Sequence, residues 1–144
     1  MSLTGPYDDS NVFARILRGE IPAHKVYEDD RILSFMDAFP QSRGHTLVIP
    51  KTPARTLFDL PADDLANLIT HTQRIATAVR AALMPEGVSL MQFNGAAGGQ
   101  TVFHIHFHIL PRWDAEALKG HGDNKMASAE ELAATAAVIR AHLG

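Results

Sequence analysis

The sequence predicts an α+β domain, with a five-stranded antiparallel sheet and helices packed on one side. Two observations carry this: five short β-rich runs bounded by polar turns, and three segments whose apolar residues recur at helical spacing. A third is their order, because the strands are grouped with helices inserted between groups rather than alternating one for one as in β-α-β units. At 144 residues, 46% hydrophobic and 20% charged, the chain has the size and composition of one globular domain.

Residues 1–10, with Gly5, Pro6 and Asp8-Asp9, have no periodic pattern and are expected to be a flexible entry. Val12, Phe13, Ile16 and Leu17 form one apolar stripe of a short helix that Gly19 ends and Pro22 keeps from resuming. Residues 23–27, 32–36 and 45–49 read as a meander, with turns at Glu28-Asp29-Asp30 and at Pro40 to Gly44. Pro61 suits the first position of the longest helix, and Asp63 and Asp64 suit its positive end. Leu65, Leu68, Ile69, Ile75, Val79 and Leu83 keep helical spacing until Pro85 and Gly87. Residues 88–93 and 102–110 give two more strands across the glycine-rich connection 94–101. After Pro111, about seventeen residues rich in charge and glycine precede a last helix. Ser128 and Glu131 fit a capping box for it, and Leu132, Ala136, Ile139 and Leu143 mark its inner face.

Composition removes several function classes. Thirteen Lys and Arg against sixteen Asp and Glu give a net charge of −3 with no basic run, which argues against nucleic acid as partner. No apolar stretch approaches the roughly 18 residues that span a bilayer, and the first ten residues lack the pattern of a signal peptide. No membrane partner and a cytoplasmic location are therefore expected. The absence of cysteine excludes a disulfide scaffold, a thiolate nucleophile and a Cys-built zinc site. Eight histidines are the unusual feature.

Three of them, His104, His106 and His108, alternate with Ile105, Phe107 and Ile109. In a strand, side chains at i, i+2 and i+4 share one face at steps of about 6.6 Å, so three imidazoles would line one side while Phe103, Ile105, Phe107 and Ile109 cover the core side. Such a row can be a solvated histidine-rich face. It can be a metal site, although no third ligand partner is evident nearby. It can also be a phosphate-handling site in which neutral imidazole is nucleophile and acid–base group. The adjoining loop suits the last role: Gly95, Gly98 and Gly99 let backbone N–H groups approach an anion, and Gln100 and Thr101 add side-chain donors.

The run HIHFHIL, extended to GGQTVFHIHFHILPR, resembles the His-x-His-x-His-x-x signature of the histidine triad nucleotide hydrolases and transferases. VFARILRGEIPAHKVYEDDRILSFMDAFPQSRGHTLVIPK is similar to the amino-terminal half of that family's Hint branch and its bacterial relatives, so the resemblance spans about residues 12–112. It implies one histidine triad domain over residues 11–144 with the HIT-like fold, a homodimer, and nucleotidyl transfer at an α-phosphate without a cofactor. By match to the motif, His106 is the nucleophile, His104 orients it, and His108 binds phosphate oxygens near the leaving group. His45 is the fourth family histidine and Thr101 a hydroxyl donor. Asp37 matches the position that accepts from the ribose hydroxyls. Val12, Phe13, Ile16 and Phe35 match an apolar slot for a purine base, and Asn94, Gly99 and Gln100 fall where phosphate contacts are expected.

The favoured activity is hydrolysis of adenosine or other purine nucleoside 5′-phosphoramidates to the monophosphate. The alternatives are cleavage of dinucleoside polyphosphates, or a nucleotide-binding regulator with slow turnover. Departures from the pattern matter. Many bacterial relatives carry a Cys-x-x-Cys pair that helps hold zinc where this chain has Asn11 and Ala14, so no metal is expected. The polar residue thirteen before the nucleophile is here Phe93, flanked by Gln92 and Asn94. The tail after Leu110-Pro111-Arg112 departs from the short Hint tail and is similar to that of the Fhit branch. His24, His71, His121 and His142 are read as surface residues.

Overall fold

In the computed structural model, which describes residues 1–119 and 125–144, helix α1 (Val12–Leu17) leads into strands β1 (Lys25–Glu28), β2 (Ile32–Met36) and β3 (Thr46–Pro50). Helix α2 (Ala62–Leu83), strands β4 (Gly87–Met91) and β5 (Phe107–Arg112) and helix α3 (Ala129–Ala141) follow. The strands form one antiparallel sheet in the order β1-β2-β3-β5-β4. His121 lies outside the described residues. Among the described residues no helix is long and apolar enough to cross a membrane.

Strands β2 and β3 are buried along their whole length, which is why ILSFM and TLVIP read as nearly continuous apolar runs. One face of the sheet packs under the two long helices. Ile32, Val48, Ile105 and Ile109 meet Leu68, Ile75 and Val79 of α2 and Leu132, Ala136 and Ile139 of α3 there. The opposite face carries Leu33, Phe35, Leu47 and Ile49 against Phe13 of the short helix α1. Helices α2 and α3 thus share the expected side, and α1 is the exception that leaves the other face partly open.

Local signals explain the boundaries. Asn11 caps α1 by accepting from the Ala14 N–H at 2.9 Å, and Ala14 is buried, so the two positions that differ from zinc-holding relatives serve the helix start. Pro61 precedes α2 as its cap, and Met84 ends the helix in a left-handed conformation (φ 50°). Ser128 accepts from the Glu131 N–H and starts α3, whose Leu132, Ala136 and Ile139 are buried as the spacing predicts. The segment before α1 has no regular element, yet it is hydrogen-bonded to the body of the domain. The tail lies against the loop after β2: the Ala127 and Lys119 N–H groups donate to the Ala38 and Gln41 carbonyls at 2.9 Å each.

Candidate active site

The predicted strand 102–110 is regular only from Phe107 onward. Upstream, the Ile105 N–H donates to the Ala54 carbonyl at 2.9 Å instead of to a sheet partner, so 101–106 is an irregular approach to the sheet. Ile105, Phe107 and Ile109 still reach the core under α2, whereas Phe103 leaves that row and lies beneath the Arg55 guanidinium at 5.1 Å. Strict alternation therefore overstates the regularity of the histidine row. His106 and His108 remain neighbours, with ring centroids 4.8 Å apart. His104 turns away, fully buried between the Pro50 carbonyl and the Tyr7 hydroxyl.

The hydrogen bonds fix the tautomer of each ring. The Gln41 N–H donates to His45 Nδ1 (3.1 Å), so a neutral His45 carries its proton on Nε2, which lies 2.9 Å from His108 Nδ1. His108 Nδ1 is then the acceptor, and the His108 proton sits on Nε2. His106 donates from Nδ1 to the His104 carbonyl at 2.7 Å, which leaves its lone pair on Nε2. His104 donates from Nε2 to the Pro50 carbonyl at 2.7 Å, and burial pushes its pKa below the ordinary imidazole value. One ring thus offers a lone pair beside another that offers an N–H. Gly44 delivers His45 to this position: its φ of 87° favours glycine, and a Cβ there would run into Leu83 Cδ1.

A cleft of about 590 Å³ opens over these rings. Of the residues singled out from sequence, Val12, Phe13, Ile16, Phe35, Asp37, Thr101, His106 and His108 line it. Phe13 meets His106 edge-on at 4.8 Å. Asp37 holds its own loop through the Phe39 N–H at 2.8 Å and reaches within 3.5 Å of His45 Nε2. His45 and His104 sit behind the cleft wall.

The other three predicted residues do not line the cleft. Gln100 is buried, donating to the Arg55 and Val102 carbonyls and accepting from the Gly95 N–H, so its amide braces the loop. Asn94 closes a pair with Gln92 and accepts from the Leu57 N–H at 2.8 Å. Gly99 is exposed on the loop with φ 102°. Phe93 packs against the His108 ring at 5.4 Å.

Sequence reading missed His24, which lines the cleft, and Met126, Ala127 and Leu132 from the tail. Only their proximity across the fold reveals them. His71 is half-buried and stacked on Tyr27, with Nε2 3.4 Å from Asp29. Asp37, His45 and His108 offer ligand atoms within 4.8 Å of one another and could gather round a metal ion. The Gln41 N–H, however, assigns the His45 proton to the nitrogen that a metal would need.

The profile of the HIT domain family matches residues 18–115. The chain is 38% identical over 138 residues to an adenylylsulfatase of Arabidopsis thaliana, covering 92% of this chain and 68% of that protein. It is similar to the crystal structure of a Hit-like protein involved in cell-cycle regulation from Bartonella henselae, with TM-score 0.91 and 45% identity, covering 96% of this chain and 100% of that one. It is also similar to a Zn-bound histidine triad protein from Mycobacterium smegmatis, with TM-score 0.81, 38% identity and 93% of each chain covered.

Proposed function

The chain belongs to the histidine triad family, and from that premise we propose that it hydrolyses purine nucleoside 5′-phosphoramidates through a nucleotidyl-histidine on His106. The observation that carries the reading is the tautomer pair. His106, with Nδ1–H held by the His104 carbonyl, keeps its lone pair on Nε2, and His108 carries its proton on Nε2.

In the proposed reaction the adenine lies in the apolar part of the cleft between Phe13, Ile16 and Phe35, and Asp37 accepts from the ribose hydroxyls. His106 Nε2 attacks the α-phosphorus as the bond to the leaving nitrogen breaks. His108 Nε2–H donates to a non-bridging oxygen, and Thr101 supplies a hydroxyl donor at the leaving-group side. The leaving nitrogen takes a proton from solvent as its bond to phosphorus breaks and departs as the amine, and the water that attacks next gives a proton back to solvent. Water then attacks the phosphorus, the P–N bond to His106 breaks, the monophosphate departs and the lone pair returns to Nε2. His45 holds His108 in the donating tautomer. No metal takes part in these steps.

One observation favours a second leaving group. The adenylylsulfatase relative shares 38% identity over nearly the whole of this chain, and adenylyl sulfate presents the same adenylyl group with sulfate to expel. AMP release should therefore be followed from an adenosine phosphoramidate, adenylyl sulfate and a diadenosine polyphosphate. The reading expects the phosphoramidate to be the best of the three. AMP from none of them, with tight AMP binding retained, contradicts it in favour of a regulator.

A homodimer is proposed on the same family ground. Strand β4 is a sheet edge, and a groove of about 540 Å³ lies between it and α2, where Ile69, Val88 and Leu90 are exposed. An unpaired edge beside exposed apolar side chains suits pairing with a second copy.

A further inference from the structure

Residues 1–10 are fastened to the body at several points. Arg55, only 5% exposed, donates from Nη1 to the Pro6 carbonyl (3.1 Å) and from Nη2 to the Ser2 carbonyl (2.7 Å). The Ala96 N–H donates to the Met1 carbonyl at 3.0 Å. Leu3 packs so tightly over Gly95 that a Cβ there would come 3.2 Å from Leu3 Cδ2. These contacts hold Tyr7 with its hydroxyl 2.7 Å from His104 Nδ1 and its ring edge-on to the imidazole at 5.7 Å.

We infer that Tyr7 is a positioning residue for the nucleophile, acting through His104 on His106. His104 commits its Nε2–H to the Pro50 carbonyl, so its Nδ1 is an acceptor inside a fully buried site and requires a donor. Tyr7 is that donor: a phenol of ordinary pKa, about 10, keeps its proton at neutral pH, and burial only raises it further. With both ring nitrogens held, the His104 ring and backbone are fixed, and the His104 carbonyl is the group that receives the His106 Nδ1–H. The segment that carries Tyr7 thereby becomes part of the machinery that aims the His106 lone pair. The inference rests on the reading of His106 as nucleophile.

The test is Tyr7→Phe in the full chain, a change that keeps the ring packed and removes only the hydroxyl. On an adenosine phosphoramidate, kcat should fall about tenfold with KM within about twofold of wild type, since misaiming a nucleophile costs rate rather than binding. Long-range proton–nitrogen NMR of the imidazoles should show wild-type His104 protonated on Nε2 alone, and a shift of the His104 Nδ1 and His106 resonances in the variant. Wild-type His104 protonated on Nδ1 overturns the inference without any variant. A kcat within twofold of wild type also overturns it, even if the urea midpoint drops, because the segment is then only a strap. If the wild type hydrolyses no phosphoramidate, the functional reading fails by itself, and the nitrogen resonances still decide for or against the link from Tyr7 to His106.

Discussion

Replacing His45 by alanine should damage stability and turnover together, because this side chain is fully buried and acts as both acceptor and donor. Losing the ring opens a cavity behind β3 and β5, at a cost of about 2 kcal/mol by comparison with large-to-small core changes. It also removes the acceptor of the Gln41 N–H and the donor to His108 Nδ1, at about 1 kcal/mol each for groups this far from solvent. The expected loss is therefore about 4 kcal/mol, a large share of the stability of a domain this size. Turnover should fall further than folding explains, because His108 no longer has its proton assigned to Nε2. A kcat about 10 to 100 times lower is expected in the fraction that remains folded, since a small misplacement of a group that positions the reacting phosphate can cost on the order of a hundredfold in rate. Urea unfolding gives the first number and initial rates under folding conditions the second. A loss under about 1 kcal/mol with kcat unchanged would refute the coupling of His45 to His108.

Three further outcomes follow from the same geometry. Burial lowers the pKa of folded His104 below that of the unfolded chain, so its contribution to stability is fully present above about pH 6.5 and is lost as pH falls through the lower folded value. The slope is at most about 1.4 kcal/mol per pH unit for this one group, and urea midpoints at several pH values should fall less steeply in His104→Gln. Turnover should survive EDTA; loss of activity restored by stoichiometric zinc would instead favour a metal bound by the triad region. Sedimentation equilibrium should give twice the monomer mass, and a monomer at micromolar concentration would remove the proposed pairing across β4 and α2.

Sequence was most informative where periodicity and burial agree. Leu68, Ile75 and Val79 of α2, the cap of α3 at Ser128 and the two buried strands β2 and β3 are all visible as patterns, because each is an imprint of what meets the core, whereas Ile69 of the same α2 stripe is exposed beside β4. It was less informative where side chains replace regular backbone pairing. Residues 101–106 alternate like a strand, yet the Ile105 N–H goes to Ala54 and His106 bonds its own chain two residues back. Polar type alone also misled about direction: Gln100 and Asn94 are suitable phosphate donors by chemistry but spend their amides on the loop itself. Tyr7 and His24 had no signal at all, since each is a single residue in an aperiodic stretch that long-range packing brings to the site. His106 and His108 are legible because the motif that carries them is local, whereas Phe13 and Asp37, which line the same cleft, come only from the resemblance over the amino-terminal half.

In the proposed reaction His106 becomes covalently nucleotidylated. Rapid acid or denaturant quench of the protein with an adenosine phosphoramidate labelled at the α-phosphate, followed by peptide mass mapping, tests it directly, provided the quench is neutralised quickly enough to preserve a phosphorus–nitrogen bond. A transient adenylyl adduct on His106 is expected. The adduct should be absent in His106→Ala, which should bind AMP within about tenfold of wild type while turning over no substrate, because the nucleophile acts chiefly in the transition state. A wild type that releases AMP at full rate with no adduct in a quench series shown to preserve adenylyl-histidine, or an adduct on another residue, would contradict it.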